Sequence, residues 1–209
     1  MLRPTIFRQP TTTRDRFWLS ERFDRLKQIE GTLVQNFKLQ DFIGIDEIVR
    51  YRILRCAIIQ HYEIYPTPLL DVTQSLRIAA SFATQQNDTN DAFLYVLGVP
   101  NVSGAITASA EAGLQTIRLS SVCPPTAMRP HIQEGYLLGE YPEIVDIDQK
   151  QNYALHEIDF GKRLVAKFRF NPKQFWTKSG QFQAVGPKAL YPSEKQDPLY
   201  AVAKQMIEA

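Results

Sequence analysis

Cysteine and histidine are too scarce in this sequence to build a metal centre. Cys56 and Cys123 are the two cysteines of 209 residues, and His61, His131 and His156 are the three histidines, none at ligand spacing to another. We expect no metal, and two reduced thiols. The sequence has no N-terminal apolar stretch of the kind that directs export, and no run of about 18 apolar residues. A cytoplasmic protein with no membrane partner is expected. An excess of one charge is also missing, since 24 Lys and Arg stand against 22 Asp and Glu for a formal charge of +2. That balance predicts no strong sequence-independent attraction to nucleic acid or anionic lipid. A Gly-rich phosphate loop, a nucleophile elbow, a paired His-Glu zinc helix and a kinase signature are all absent, so phosphoryl transfer and serine hydrolysis lack support. A nuclease is disfavoured by the lack of metal-ligand clusters.

What is present suits one folded domain over residues 1–209, with 44% hydrophobic residues to form a core. Leu19, Phe23, Leu26, Leu33 and Phe37 recur at steps that mark one face of a helix from Trp18 to Lys38, with Glu30 on its polar face. A second helix is predicted from about Ile45 to His61. Ala92–Val99 reads as a buried strand, residues 100–113 as a surface excursion, and Thr116–Leu119 as another strand. Arg129–Leu138 reads as a bend leading into a strand. Residues 153–170 alternate enough for one or two more, the clearest with Leu164, Ala166, Phe168 and Phe170 on one face. A short helix is predicted from Pro172, and Leu199, Val202, Ala203 and Met206 mark a terminal one. The order gives an α+β fold, with N-terminal helices packed on a mostly antiparallel or mixed sheet and a C-terminal helix.

The richest window in chemically capable side chains is residues 60–84. Gln60 and His61 close the second helix, and Pro66 and Pro68 force the chain into an extended path. Leu69–Thr73 is a predicted strand in which Asp71 and Thr73 share one face and Leu70 and Val72 the other. Ser75 is the expected N-cap of a helix carrying Leu76, Ala79, Ala80 and Ala83. A strand ending on hydroxyl and carboxyl groups and turning into a helix is a frequent ligand position. The alternative is a buried strand–helix corner whose polar groups cap backbone, with Asp71 largely buried. His61 likewise has two readings, a partner for the last helix carbonyls or a ligand contact.

Gln60-His61-Tyr62, Pro66-Thr67-Pro68-Leu69-Leu70-Asp71, then Thr73, Ser75, Phe82 and Ala83 resemble in order and spacing the signature of the FRG domain, a bacterial and phage domain named for an aromatic-Arg-Gly motif. Arg129-Pro130 with Gln133 and Gly135-Tyr136-Leu137 resembles the family's later segment, and Tyr191-Pro192 with Asp197-Pro198-Leu199 its C-terminal close. The defining tripeptide is absent, because no Arg-Gly occurs in the sequence. Leu2–Arg8 fits the family's second segment, which implies a chain lacking the N-terminal motif strand and turning NAD over weakly. Phe7-Arg8-Gln9 would make Arg8 a ligand-binding candidate only as a degenerate copy. Pro68 stands where the family often has Arg, which removes a basic group that would meet a phosphate.

The strand with Thr73-x-Ser75, followed by Ala79-x-x-Phe82-Ala83, is similar to the central motif of ADP-ribosyltransferases, which hold NAD between two small sheets. That resemblance implies an NAD-consuming transferase or glycohydrolase of toxin or phage-conflict type, with NAD as substrate and a small-molecule nucleotide or a protein target as partner. Gln133, Glu134 and Asp71 are then the catalytic candidates, and Gln60, His61, Thr67, Thr73 and Ser75 the ligand-binding ones. Breaking the nicotinamide–ribose bond develops oxocarbenium character, which a nearby carboxylate stabilises. The alternative is a non-catalytic ligand- or protein-binding module using the same residues. If residues 60–75 and 129–135 form one site, their side chains must line one concave surface.

Overall fold

The computed structural model describes residues 2–8, 16–148, 159–176 and 182–208. Helix α1, Arg16–Leu39, lays Phe23, Leu26, Leu33 and Phe37 into the core, as their spacing predicts. The predicted second helix is two helices, α2 over Ile45–Arg50 and α3 over Arg52–His61, because Tyr51 is extended at φ −110° and ψ 106°. Two carbonyls freed at this break take a side-chain partner. Arg55 Nη1 donates to Ile48 O at 2.7 Å and to Val49 O at 3.0 Å.

Strand β1 spans Leu70–Thr73 and α4 spans Leu76–Thr84, with the Ser75 hydroxyl accepting from Ile78 N at the helix start. After β2, Ala92–Leu97, the chain forms a hairpin of β3, Ile106–Ser109, and β4, Leu114–Arg118. The stretch expected to be a surface excursion therefore contains a strand. Gly113 supplies the φ of +59° that its turn requires. Two short helices, α5 (Leu119–Val122) and α6 (Met128–Ile132), lead into β5, Gly135–Glu140. The expected bend at Arg129 is thus one helical turn, with Pro130 early enough in it to cost no hydrogen bond. Strand β6, Leu164–Phe170, precedes α7 (Pro172–Phe175), α8 (Pro187–Leu190) and α9 (Pro198–Glu208). The readings placed on residues 9–15 and 153–158, His156 among them, lie outside the described residues.

The strands form two antiparallel sheets, one of four in the order β1-β5-β4-β3 and one of two, β2-β6. The fold is α+β with a C-terminal helix. Its main core runs from Ile6 through the faces of α1, α3 and β5 to Leu199 and Ala203 of α9. Two buried carboxylates, Glu30 and Asp197, sit against it. Glu30, expected on a solvated face, is buried and accepts an ion pair from Arg52 Nη2 at 2.7 Å and another from Arg55 Nε at 3.3 Å. The Cys56 thiol approaches the same carboxylate at 3.5 Å, and burial pushes its pKa well up. Cys123 is also a buried free thiol, raised for the same reason.

A second buried carboxylate fixes the end of the chain. Asp197 accepts from the Tyr62 hydroxyl at 2.9 Å, Arg129 N at 2.8 Å and Tyr200 N at 3.0 Å. It ties α3, α6 and α9 at one point. Burial above all, with the Asp197 charge adding to it, pushes the Tyr62 hydroxyl far above its ordinary pKa, so it stays a neutral donor.

Candidate functional site

The register of β1 against β5 joins the two polar segments. Thr73 pairs with Gly135 and Leu70 with Leu138, so the end of β1 lies beside the chain leaving α6. Gln60, His61, Asp71, Thr73, Arg129 and Gln133 consequently line one cleft of about 480 Å³, within the range of small-molecule sites. Its other wall includes Phe82 of α4 and Phe93 and Tyr95 of β2, so the cleft lies between the two sheets.

On the polar side the groups are held in sequence. The hydroxyls of Thr5 and Thr67 both donate to Gln60 Oε1, at 3.0 and 2.8 Å. Two donors on the oxygen fix the amide orientation, and Gln60 Nε2 donates to Asp71 Oδ2 at 2.9 Å. His61 Nδ1 lies 3.5 Å from Asp71 Oδ1. The two partners differ sharply in access, since the His61 side chain is 3% exposed and that of Asp71 45%. Asp71 is therefore not the buried capping group that the strand–helix corner suggested. It is an open carboxylate with two neighbours that set its direction.

Burial lowers the His61 pKa, against the raising effect of Asp71, and the imidazole is neutral at pH 7. With the proton on Nδ1 facing the carboxylate, Nε2 carries the lone pair. That atom is buried and has no hydrogen-bond partner. Gly135 makes this packing feasible, since a Cβ there would lie 3.2 Å from His61 Cε1 and 2.8 Å from Leu119 Cδ1.

Arg129 closes the opposite side. Its guanidinium carbon lies 5.5 Å from the Tyr62 ring centroid and 5.0 Å from that of Tyr191, and Nη2 is 2.7 Å from Glu63 Oε1. Tyr191 in turn meets Phe82 edge-on at 6.0 Å. A second cavity of about 370 Å³ adjoins the cleft and shares Val72, Thr73, Ala79 and Leu94 with it. Apolar side chains, including Val96, Val102, Leu138 and Phe168, make up most of its lining.

The candidates named from the sequence are distributed unevenly. Gln60, His61, Asp71, Thr73 and Gln133 line the cleft, although the Gln133 amide also donates to Leu190 O at 2.8 Å. Thr67 is fully buried behind Gln60, and Ser75 lines the adjoining cavity while capping α4. Glu134 is exposed, at φ +46°, and does not line the cleft. Arg8 is exposed too, with its Nε donating to Arg3 O. Arg129 and Glu63 fall within the two segments expected to meet but were not singled out there, and neither were Phe82 and Tyr191. The signal for Arg129 and Tyr191 was present in the Arg-Pro and Tyr-Pro pairs.

Among the described residues no group of three or more His, Cys, Asp or Glu is arranged to hold a metal ion, and no helix is long and apolar enough to cross a membrane. No curated protein and no solved structure matches the chain. A family model does match: that of the FRG domain, over residues 1–92, the stretch that contributes α1, α3, β1, α4 and the Gln60–His61–Asp71–Thr73 side of the cleft, and the chain carries an FRG domain there.

Proposed function

We propose that this FRG-domain protein binds NAD in the cleft between its two sheets and breaks the nicotinamide–ribose bond, as an NAD glycohydrolase or ADP-ribosyltransferase. The observation that carries the proposal is Asp71, an open carboxylate oriented by Gln60 and His61 at the polar side of an aromatic-walled cleft. In this reading the C1′–N bond breaks with its electron pair going to nicotinamide, which leaves neutral. The positive charge developing on the ribose is stabilised by Asp71. An acceptor oxygen, from water or a target side chain, then bonds to C1′ and gives up its proton, for which the open Asp71 carboxylate is the base within the cleft. The adjoining apolar cavity supports a dinucleotide over a mononucleotide, because it offers a second compartment for a flat ring. Glu134, outside the cleft, has no part in this chemistry.

A second reading is a non-catalytic ligand- or protein-binding module, favoured by the position of Glu134, which leaves the cleft without the late acidic group that the transferase resemblance implies. Chromatographic assay of nicotinamide released from NAD separates the two. Release that falls on the order of a hundredfold or more in Asp71→Asn, in a protein that melts as the wild type does, supports catalysis. NAD binding without release supports the module, and neither binding nor release overturns both.

A further inference from the structure

Arg129 is an unusual cation for this fold. Its side chain is 8% exposed, its guanidinium lies between the rings of Tyr62 and Tyr191, and its Nε is buried without a hydrogen-bond partner. Its counterion, Glu63, is the reverse. The Glu63 side chain is 69% exposed and its backbone is at φ +58°, just beyond the C-terminus of α3. The cation is thus fixed by packing, whereas the carboxylate reaches it from solvent. An ion pair with one exposed partner is weak.

We propose that Arg129 is the binding group for a diphosphate, and that Glu63 occupies that position as a removable counterion until the ligand displaces it. The inference rests on the reading of the cleft as a dinucleotide site, and names the group that would hold the ligand's charge. Four features support it. Arg129 and Glu63 both line the cleft that holds Asp71, so a ligand anchored at one reaches the other. A planar guanidinium held between two rings presents its N–H groups in a fixed fork, which suits bidentate contact with phosphate oxygens. Displacing Glu63 also costs little burial, because its side chain swings into water and leaves no buried carboxylate unpaired. Among the described residues that line the cleft, Arg129 is the one Arg or Lys, so an anionic ligand there has this guanidinium as its cation.

The test uses inorganic pyrophosphate and ADP-ribose as separate probes in isothermal titration calorimetry of the full chain. Glu63→Gln removes the competing charge on an exposed side chain, and should tighten both ligands on the order of tenfold. Arg129→Lys, which keeps the charge and loses the fork, should weaken both, and Arg129→Gln should abolish pyrophosphate binding. Backbone N of Arg129 still bonds Asp197 in these variants, and a melting curve checks that they fold. Unchanged pyrophosphate affinity in Glu63→Gln overturns the proposal even if NAD is cleaved. Tightening by Glu63→Gln and loss by Arg129→Gln uphold it even if nicotinamide is never released, in which case only the catalytic reading fails.

Discussion

His61 Nδ1 lies 3.5 Å from Asp71 Oδ1, and the two side chains occupy opposite environments, the imidazole buried and the carboxylate open. The pair joins the end of α3 to β1, and the buried imidazole makes the stability of the fold depend on pH.

The first prediction concerns that coupling. Burial lowers the folded-state pKa of His61 from its ordinary 6.5, so the unfolded chain takes up the proton more readily. The stability contributed by neutral His61 is present above pH 6.5 and is lost as pH falls toward and through the lowered folded value. Thermal melts from pH 7.5 to 5.5 should therefore show a decline in the wild type that is shallower in His61→Gln. Equal slopes would mean that folding leaves the pKa of His61 unchanged.

Glu30 should dominate the stability of the helical layer. Removing it in Glu30→Ala leaves Arg52 and Arg55 without their buried partner, and breaking a buried pair costs about 3–5 kcal/mol. Urea unfolding of the variant measures this, and a loss under about 1 kcal/mol would show that the two guanidiniums find other partners.

Packing at Gly135 gives a third test. In Gly135→Ala the new methyl meets Leu119 Cδ1 at 2.8 Å and His61 Cε1 at 3.2 Å, both at buried positions. Overpacking of this kind costs about 1–3 kcal/mol, and the His61 ring must shift relative to Asp71. Denaturant unfolding should show the destabilisation, and the imidazole NMR signals of His61 should move.

Much of the fold was legible because its signals are local. The alternation of Leu70 and Val72 with Asp71 and Thr73, followed by Ser75, predicted β1 and the start of α4, and both formed there. Strand β3 was missed because Ile106-Thr107-Ala108-Ser109 is four residues with one strongly apolar side chain, and it becomes a strand by pairing with β4. Glu30 looked solvated since its partners, Arg52 and Arg55, lie in a different helix. The same limit hid the Arg129–Glu63 pair, which joins residues 66 positions apart through a left-handed backbone at Glu63. Asp71 was expected to be buried because a carboxylate at a strand–helix corner commonly caps the backbone of the turn or of the helix start. The geometry leaves it open, as the groups that bond it approach from Gln60 and His61 on one side only.

That exposure yields a fourth prediction. Asp71→Asn should change stability by less than about 1 kcal/mol, since its hydrogen bond to Gln60 is at the surface and can be replaced by water. A larger loss in denaturant unfolding would make Asp71 a structural residue.

The central claim is that NAD lies between the two sheets with its reacting ribose at Asp71. A crystal structure of Asp71→Asn with NAD bound tests it most directly, because the variant should retain the cleft and leave the ligand intact. The account predicts the nicotinamide ribose beside the amide that replaces the Asp71 carboxylate, the diphosphate on Arg129 with Glu63 turned away, and the second ring toward Val96 and Phe168. NAD bound elsewhere on the molecule, or a cleft that remains empty at saturating NAD, would contradict it.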